Sequence, residues 1–233
     1  MNGRDEAALA LLGLGLVDAV GVCGTDVPSM DWPTGVDPLR TPGLHRRLFG
    51  FVDPTFRRLD RLSRALVIAA GAAGVGKRLS AEERRDTALV LETERGCLES
   101  DLEFAAGLEA GVVRGPLFPY TLPSTCLGEL ALRHSLRGPT YCLAPASGAA
   151  DPHGIGRAAL AEARAILAEH GARFALVACA EVLAAPRAGR PAALLAVVAL
   201  IGPRAGGAAA DLGDDEVSLG ELARHHLRAP APG

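Results

Sequence analysis

Aromatic side chains are scarce in this sequence: they make up 4% of 233 residues, and there is a single Trp. A core built from such a chain relies on small aliphatic packing. Hydrophobic residues nonetheless reach 49%, carried mainly by Ala, Leu and Val, with 28 Gly besides. That balance excludes a disordered polymer and favours a layered α/β fold in which small helix residues lie close to apolar strands. Lysine is nearly missing as well, with Lys77 alone, so the basic residues are almost all arginine. The net charge is −3 and both signs are interspersed. No basic stripe of the kind a phosphate backbone requires is present, which argues against nucleic acid as a partner.

Long apolar runs are lacking too. Ala192–Ile201 falls far short of the roughly 20 residues that cross a bilayer, and Ala7–Val17 follows Arg4, Asp5 and Glu6 rather than the basic leader of a secretory signal. Both runs read as buried strands, with no membrane partner and a cytoplasmic location. The five cysteines (Cys23, Cys97, Cys126, Cys142 and Cys179) are odd in number and contain no CxxC pair. This argues against a disulfide framework and a structural zinc site, and they read mostly as small core residues, Cys142 among them. The six histidines show no ligand spacing such as HxxxH or HExxH, so no metal is expected. Gly71–Arg78 nearly fits the phosphate loop GxxxxGK[ST], but Arg78 replaces the Mg²⁺-binding hydroxyl and the segment before it is helical. Gly13-x-Gly15 lacks the third glycine of a dinucleotide fingerprint, and no GxSxG elbow occurs. No cofactor is called for.

What is present is an alternation of strand and helix signals. Leu9–Val17 reads as the first strand, and Cys23 to about Pro54 as a Pro- and Gly-rich loop without sustained period. Arg57–Ala73 turns helical, Ser80 starts a short helix, Ala88–Leu91 is a strand, and Ser100–Ala110 is a helix. Gly115–Pro123 is a proline-pinned loop carrying Phe118 and Tyr120, followed by a helix over Ser124–His134 and a short strand over Thr140–Leu143. A Gly-rich bend leads into a helix over Arg157–His170, and strands follow over Phe174–Cys179 and Ala192–Ile201. The stretch 206–233 is polar and reads as a loose, flexible tail, which leaves residues 1–205 as one domain.

Several of these segments resemble, in order and spacing, the β-ketoacyl synthases of the thiolase superfamily. Leu12-Gly13-Leu14-Gly15-Leu16-Val17 is similar to their opening strand and glycine turn, and Arg58-Leu59-Asp60-Arg61-Leu62-Ser63-Arg64 to their entry helix. Leu91 to Gly96 sits where they carry a Thr and a Gly after a strand. Pro116 to Ser124, Leu127 to Ala131 and Gly138-Pro139 resemble their FxxT loop, following helix and Gly-Pro turn. Phe174 to Val177 with Glu181 resembles a later strand. The resemblance implies a thiolase-like layered α/β/α fold, N-terminal half only, with a mixed sheet flanked by helices.

In that family a cysteine at a helix N-terminus is the nucleophile, because the helix end lowers its thiolate pKa. Counted from Gly138-Pro139 its position falls on Ser147; counted back from Gly171 it falls near Gly154. Neither is a cysteine, and a serine hydroxyl would need a general base within reach. The family's two catalytic histidines come from a second half that this chain does not match. The resemblance therefore implies a non-catalytic, chain-length-factor-like subunit of a type II polyketide or aryl-polyene system. Its partners would be a full-length ketosynthase and, through that complex, an acyl carrier protein. Thr140, Tyr141, Cys142 and Leu143 would form the dimer-pairing strand, while Leu117, Phe118, Tyr120 and Thr121 would reach the partner's acyl tunnel. Phe118 could alternatively staple its loop to the core. Two other functions stay open: an acyltransferase using Ser147, and a scaffold that docks carrier protein.

Overall fold

The computed structural model describes residues 9–41, 43–51, 53–145, 155–169, 171–186, 189–203, 210–212 and 217–227. The chain opens with β1 (Leu9–Asp18), a strand buried on both faces. Asp18 Oδ1 accepts from Val20 N and Gly21 N, at 2.8 and 3.1 Å, and turns the chain into β2 (Gly21–Gly24) and β3 (Val27–Asp31). After α1 (Leu44–Phe49) comes α2 (Arg61–Ala72), in which every residue from Leu62 to Ala72 is buried. Then follow α3 (Val75–Arg78), α4 (Ala81–Arg85), β4 (Thr87–Glu92), α5 (Leu98–Glu109), α6 (Ser124–His134) and β5 (Thr140–Leu143). The described chain ends with α7 (Arg157–Ala168), β6 (Phe174–Leu183), β7 (Ala193–Pro203), β8 (Ala210–Asp211) and α8 (Leu219–Leu227).

The strands form one mixed sheet in the order β3-β2-β1-β7-β6-β4-β5, with β8 paired to β1. β4 runs parallel to β5 and β6, whereas β7 is antiparallel to β6 and to β1. Leu66, Ile68 and Leu130, from α2 and α6, cover one face of the sheet. Leu160, Ala163 and Leu219, from α7 and α8, cover the other. The expected layered α/β/α fold with a mixed sheet is what the chain adopts. Among the described residues no helix is long and apolar enough to cross a membrane.

Helix α2 lies against a floor of glycines. A Cβ on Gly15 would stand 2.0 Å from the Ala69 carbonyl oxygen, and one on Gly13 would stand 2.3 Å from that of Ala73. No side chain survives such distances, so the small residues of α2 pack on bare strand backbone. The helix starts at Arg61 rather than Arg57 because the Asp60 carboxylate caps it, accepting from Ser63 N at 3.0 Å. Residues Phe56–Arg58 form a separate 3₁₀ turn.

Two expectations need correcting. The stretch from Cys23 to Pro54 contains the end of β2 and all of β3 and α1, elements too short and too punctuated by glycine and proline to show a period. The stretch read as a loose tail supplies β8 and α8, and Leu219, Leu222 and Ala223 of α8 are buried. Ser218 and Glu221 start that helix, Ser218 Oγ accepting from Glu221 N at 3.1 Å and Glu221 Oε2 accepting from Ser218 N at 2.8 Å. Leu219→Ala is therefore expected to cost about 2–5 kcal/mol of unfolding free energy in urea titrations. A loose tail would give a change near zero.

Candidate functional site

The C-terminal ends of β4 and β5 and the N-terminus of α7 converge on one end of the sheet. Glu92, the last residue of β4, is buried, and its carboxylate accepts from Gly156 N and Ala159 N at 3.0 Å each. These are first-turn amides of α7, which have no partner inside the helix. The anion-holding end of the helix is thus occupied by the chain's own carboxylate, a favourable arrangement with the helix dipole. Residues 146–154 lie outside the described residues, and with them Ser147 and Gly154.

The loop after β4 is held by a second carboxylate. Glu181 of β6 accepts from Glu94 N at 2.6 Å and Arg95 N at 3.2 Å, while Thr93 Oγ1 accepts from Gly96 N at 3.0 Å. Burial raises the pKa of Glu181, and these bonds with Arg95 oppose that rise. Thr93, Gly96 and Glu181, which the sequence comparison had matched separately, therefore belong to one turn.

None of the thiols near this end is activated. Burial pushes Cys97 up to about 12 and raises Cys126 well above its ordinary value; Cys23, Cys142 and Cys179 are raised by burial as well. A nucleophilic cysteine needs the opposite shift. Cys142 is not the core residue expected from its sequence: it is exposed, along with Thr140 and Tyr141. The reason is topological. β5 is the last strand in the sheet and pairs only with β4, so one side of its backbone is unpaired.

The proline-pinned stretch forms a 3₁₀ helix over Gly115–Thr121. Leu117, Tyr120 and Thr121 are half-buried, and Thr121 Oγ1 donates to Phe118 O at 2.8 Å. The Tyr120 hydroxyl donates to Glu129 at 3.2 Å, and burial together with that carboxylate pushes its pKa up to about 12. Phe118 is 57% exposed and lies 5.6 Å from the Phe104 ring of α5, so it does not staple the loop to the core. Leu108, Val112, Val113 and Leu122 are exposed on the same stretch of chain, and Tyr141 of β5 is 42% exposed. Sequence reading missed Glu92, Phe104 and this apolar group. A run of apolar residues continuing past the end of α5 was the available signal.

Among the described residues no group of three or more His, Cys, Asp or Glu side chains is placed to hold a metal ion. No family model and no curated protein matches the chain. Solved structures do. The ishigamide ketosynthase/chain length factor superposes with a TM-score of 0.62 at 19% identity, over 87% of this chain and 64% of that one. A ketosynthase in complex with its chain length factor from Xenorhabdus doucetiae, ApeO with ApeC, gives a TM-score of 0.54 at 17% identity, over 86% and 81%. A type II polyketide acyl-carrier protein complex with its ketosynthase, AntDE:AntF, gives 0.55 at 14% identity, over 85% and 63%. The chain therefore has the thiolase-like fold of the ketosynthases. It spans less than two thirds of the ishigamide and AntDE:AntF chains.

The raised thiols generate a prediction. In the native chain alone, a disulfide probe such as DTNB should react with Cys142 and spare the other four cysteines, and Cys142→Ser should abolish the reaction. Because Cys142 is raised, its rate should still be climbing above pH 9. A plateau reached below pH 8 would reveal an activated thiol instead.

Proposed function

We propose that the chain is a non-catalytic, chain-length-factor-like subunit that pairs with an active β-ketoacyl synthase and shapes its acyl tunnel in type II polyketide or polyene synthesis. The observation that carries this reading is the uncovered end of the sheet. Thr140, Tyr141 and Cys142 are exposed on a strand with one free edge, and a group of exposed apolar side chains runs from Leu108 to Leu122, ahead of α6 in the chain. Unpaired edges of this kind are a liability that native proteins cover. A second β5-like strand, supplied by the ketosynthase, would extend the sheet and bury the apolar group.

Two features support a role without bond-making. The cysteine pKa values are all raised, and Glu92 already occupies the amides at the start of α7. A nucleophile or oxyanion placed there would have to displace a buried carboxylate. The similarity to complexes of ketosynthases with chain length factors and with a carrier protein supports the same partners for this chain: a full-length ketosynthase and, through it, an acyl carrier protein. In this reading Phe118, in tilted contact with the Phe104 ring, projects from its 3₁₀ turn toward the partner's tunnel, with Leu117, Tyr120 and Thr121 as its support.

Expressed alone, the chain should self-associate or precipitate. Co-expressed with a full-length ketosynthase, it should elute from size exclusion as a one-to-one complex. A stable monomer indifferent to the ketosynthase would contradict the proposal. Within the complex, Phe118→Ala should leave assembly intact and lengthen or broaden the products, whereas an unchanged product profile would remove Phe118 from the tunnel wall. Ser147→Ala should leave the activity of the complex nearly intact. A loss of several orders of magnitude would point to Ser147 as an acyltransferase nucleophile.

A further inference from the structure

A cavity of about 680 Å³ opens between α1, the side chains of Phe51, Asp53 and Thr55, the end of α2 with α3, Arg84 of α4, and the second half of α6. Its size falls within the roughly 300–1,000 Å³ of small-molecule sites. No residue of α5, β5 or the Gly115–Thr121 turn lines it, so it is separate from the surface assigned above to pairing. Leu48, Phe49, Phe51 and Leu132 supply apolar wall, and two of these are left open to solvent: Phe51 is 60% and Leu132 80% exposed.

The charges around the cavity are not balanced in the same way everywhere. Arg133 is matched, pairing with Asp53 at 2.8 Å and with Glu129. Lys77 pairs with Asp26 at 3.3 Å. Arg84 has no carboxylate among the described residues. It donates Nε to Leu79 O at 3.1 Å and Nη2 to Gly76 O at 2.5 Å, both neutral carbonyls, and Nη1 has no partner among the described residues. His134 meets the same point of the wall, since a Cβ on Gly76 would stand 3.7 Å from its Nδ1. The imidazole is 5% exposed and its Nε2 is buried without a partner, a state that folded proteins seldom keep. Burial, with Arg84 and Arg133 adding to it, lowers its pKa to about 4 and keeps the ring neutral. Arg84 is thus the one lining cation with neither a carboxylate nor a titrating neighbour to offset it among the described residues.

We propose that this cavity binds a small amphipathic carboxylate, its hydrocarbon body against Leu48, Phe49, Phe51 and Leu132 and its carboxylate on the Arg84 guanidinium beside His134. An apolar wall ending in an unmatched guanidinium suits that chemistry. A guanidinium can grip a carboxylate by two parallel hydrogen bonds, and the hydrocarbon covers the exposed Phe51 and Leu132. An inorganic anion would leave both uncovered. The proposal does not depend on the pairing function.

The test uses the full chain in the assembly in which it purifies, titrated calorimetrically with decanoate and with decanol. Decanoate should bind at one per chain, and decanol, with the same hydrocarbon and no charge, at least tenfold more weakly. Leu132→Glu alters a side chain that is mostly in solvent and should weaken decanoate binding at least tenfold without loss of fold. Arg84→Gln should bring decanoate and decanol to similar affinity. If Arg84→Gln does not fold, the acid-to-alcohol comparison and Leu132→Glu decide the matter on their own. No saturable binding of decanoate, equal affinity for acid and alcohol in the unaltered chain, or full binding by Leu132→Glu would overturn the proposal.

Discussion

Helix α2 rests directly on strand backbone, and the remaining layers are built around that approach. At Gly13, Gly15 and Gly24 the backbones of β1 and β2 come so close to Ala69, Ala72 and Ala73 that no side chain fits between them. A helix buried from Leu62 to Ala72 cannot tilt away to accommodate a larger residue, because α1 and α6 close over its other side. Close packing of this sort tolerates few volume changes. It also explains the composition. A chain poor in aromatics and rich in Ala and Gly can bring a helix this near to a sheet, and bulkier residues could not.

That constraint sets where the open parts of the molecule can be. With α2 and α6 over one face and α7 and α8 over the other, β1, β7, β6 and β4 are mostly buried, whereas no residue of β5 is. β5 is thus one boundary of the layered core, and the stretch from Leu108 to Leu122 carries one group of apolar side chains left in solvent. At the same end of the sheet, Glu92 ties β4 to α7 through two amides. The bond fixes the start of the helix against the end of β4 and satisfies amides that have no partner within the helix.

Much of this was legible in the sequence wherever punctuation is local. Pro123 before Ser124, and Gly138-Pro139 before Thr140, give the bounds of α6 and β5 as observed, and the buried strands β6 and β7 announce themselves as apolar runs. The misses have physical reasons. In α8, Leu219, Leu222 and Ala223 are the buried side and the charged and histidine residues are not, so the segment reads as a solvated tail until β1 and β7 are placed beside it. β2 and β3 are short and interrupted by glycine and proline. Cys142 looks like a core residue because its neighbours are apolar, but its exposure depends on which strand ends the sheet. Glu92 is a single acid after an apolar run, and the amides it satisfies lie 64 and 67 residues further along the chain. The turn that joins Thr93, Gly96 and Glu181 was marked residue by residue through resemblance, and its hydrogen bonds came only with the fold.

The central claim is that β5 is a pairing edge. Amide hydrogen exchange over Thr140–Leu143, measured on the chain alone and on its complex with a full-length ketosynthase, addresses it most directly. The account predicts that exchange at Thr140–Leu143 slows by orders of magnitude in the complex, while the opposite edge, Val27–Asp31, is unchanged. Exchange at Thr140–Leu143 that stays as fast in an assembled complex as in the free chain would contradict it.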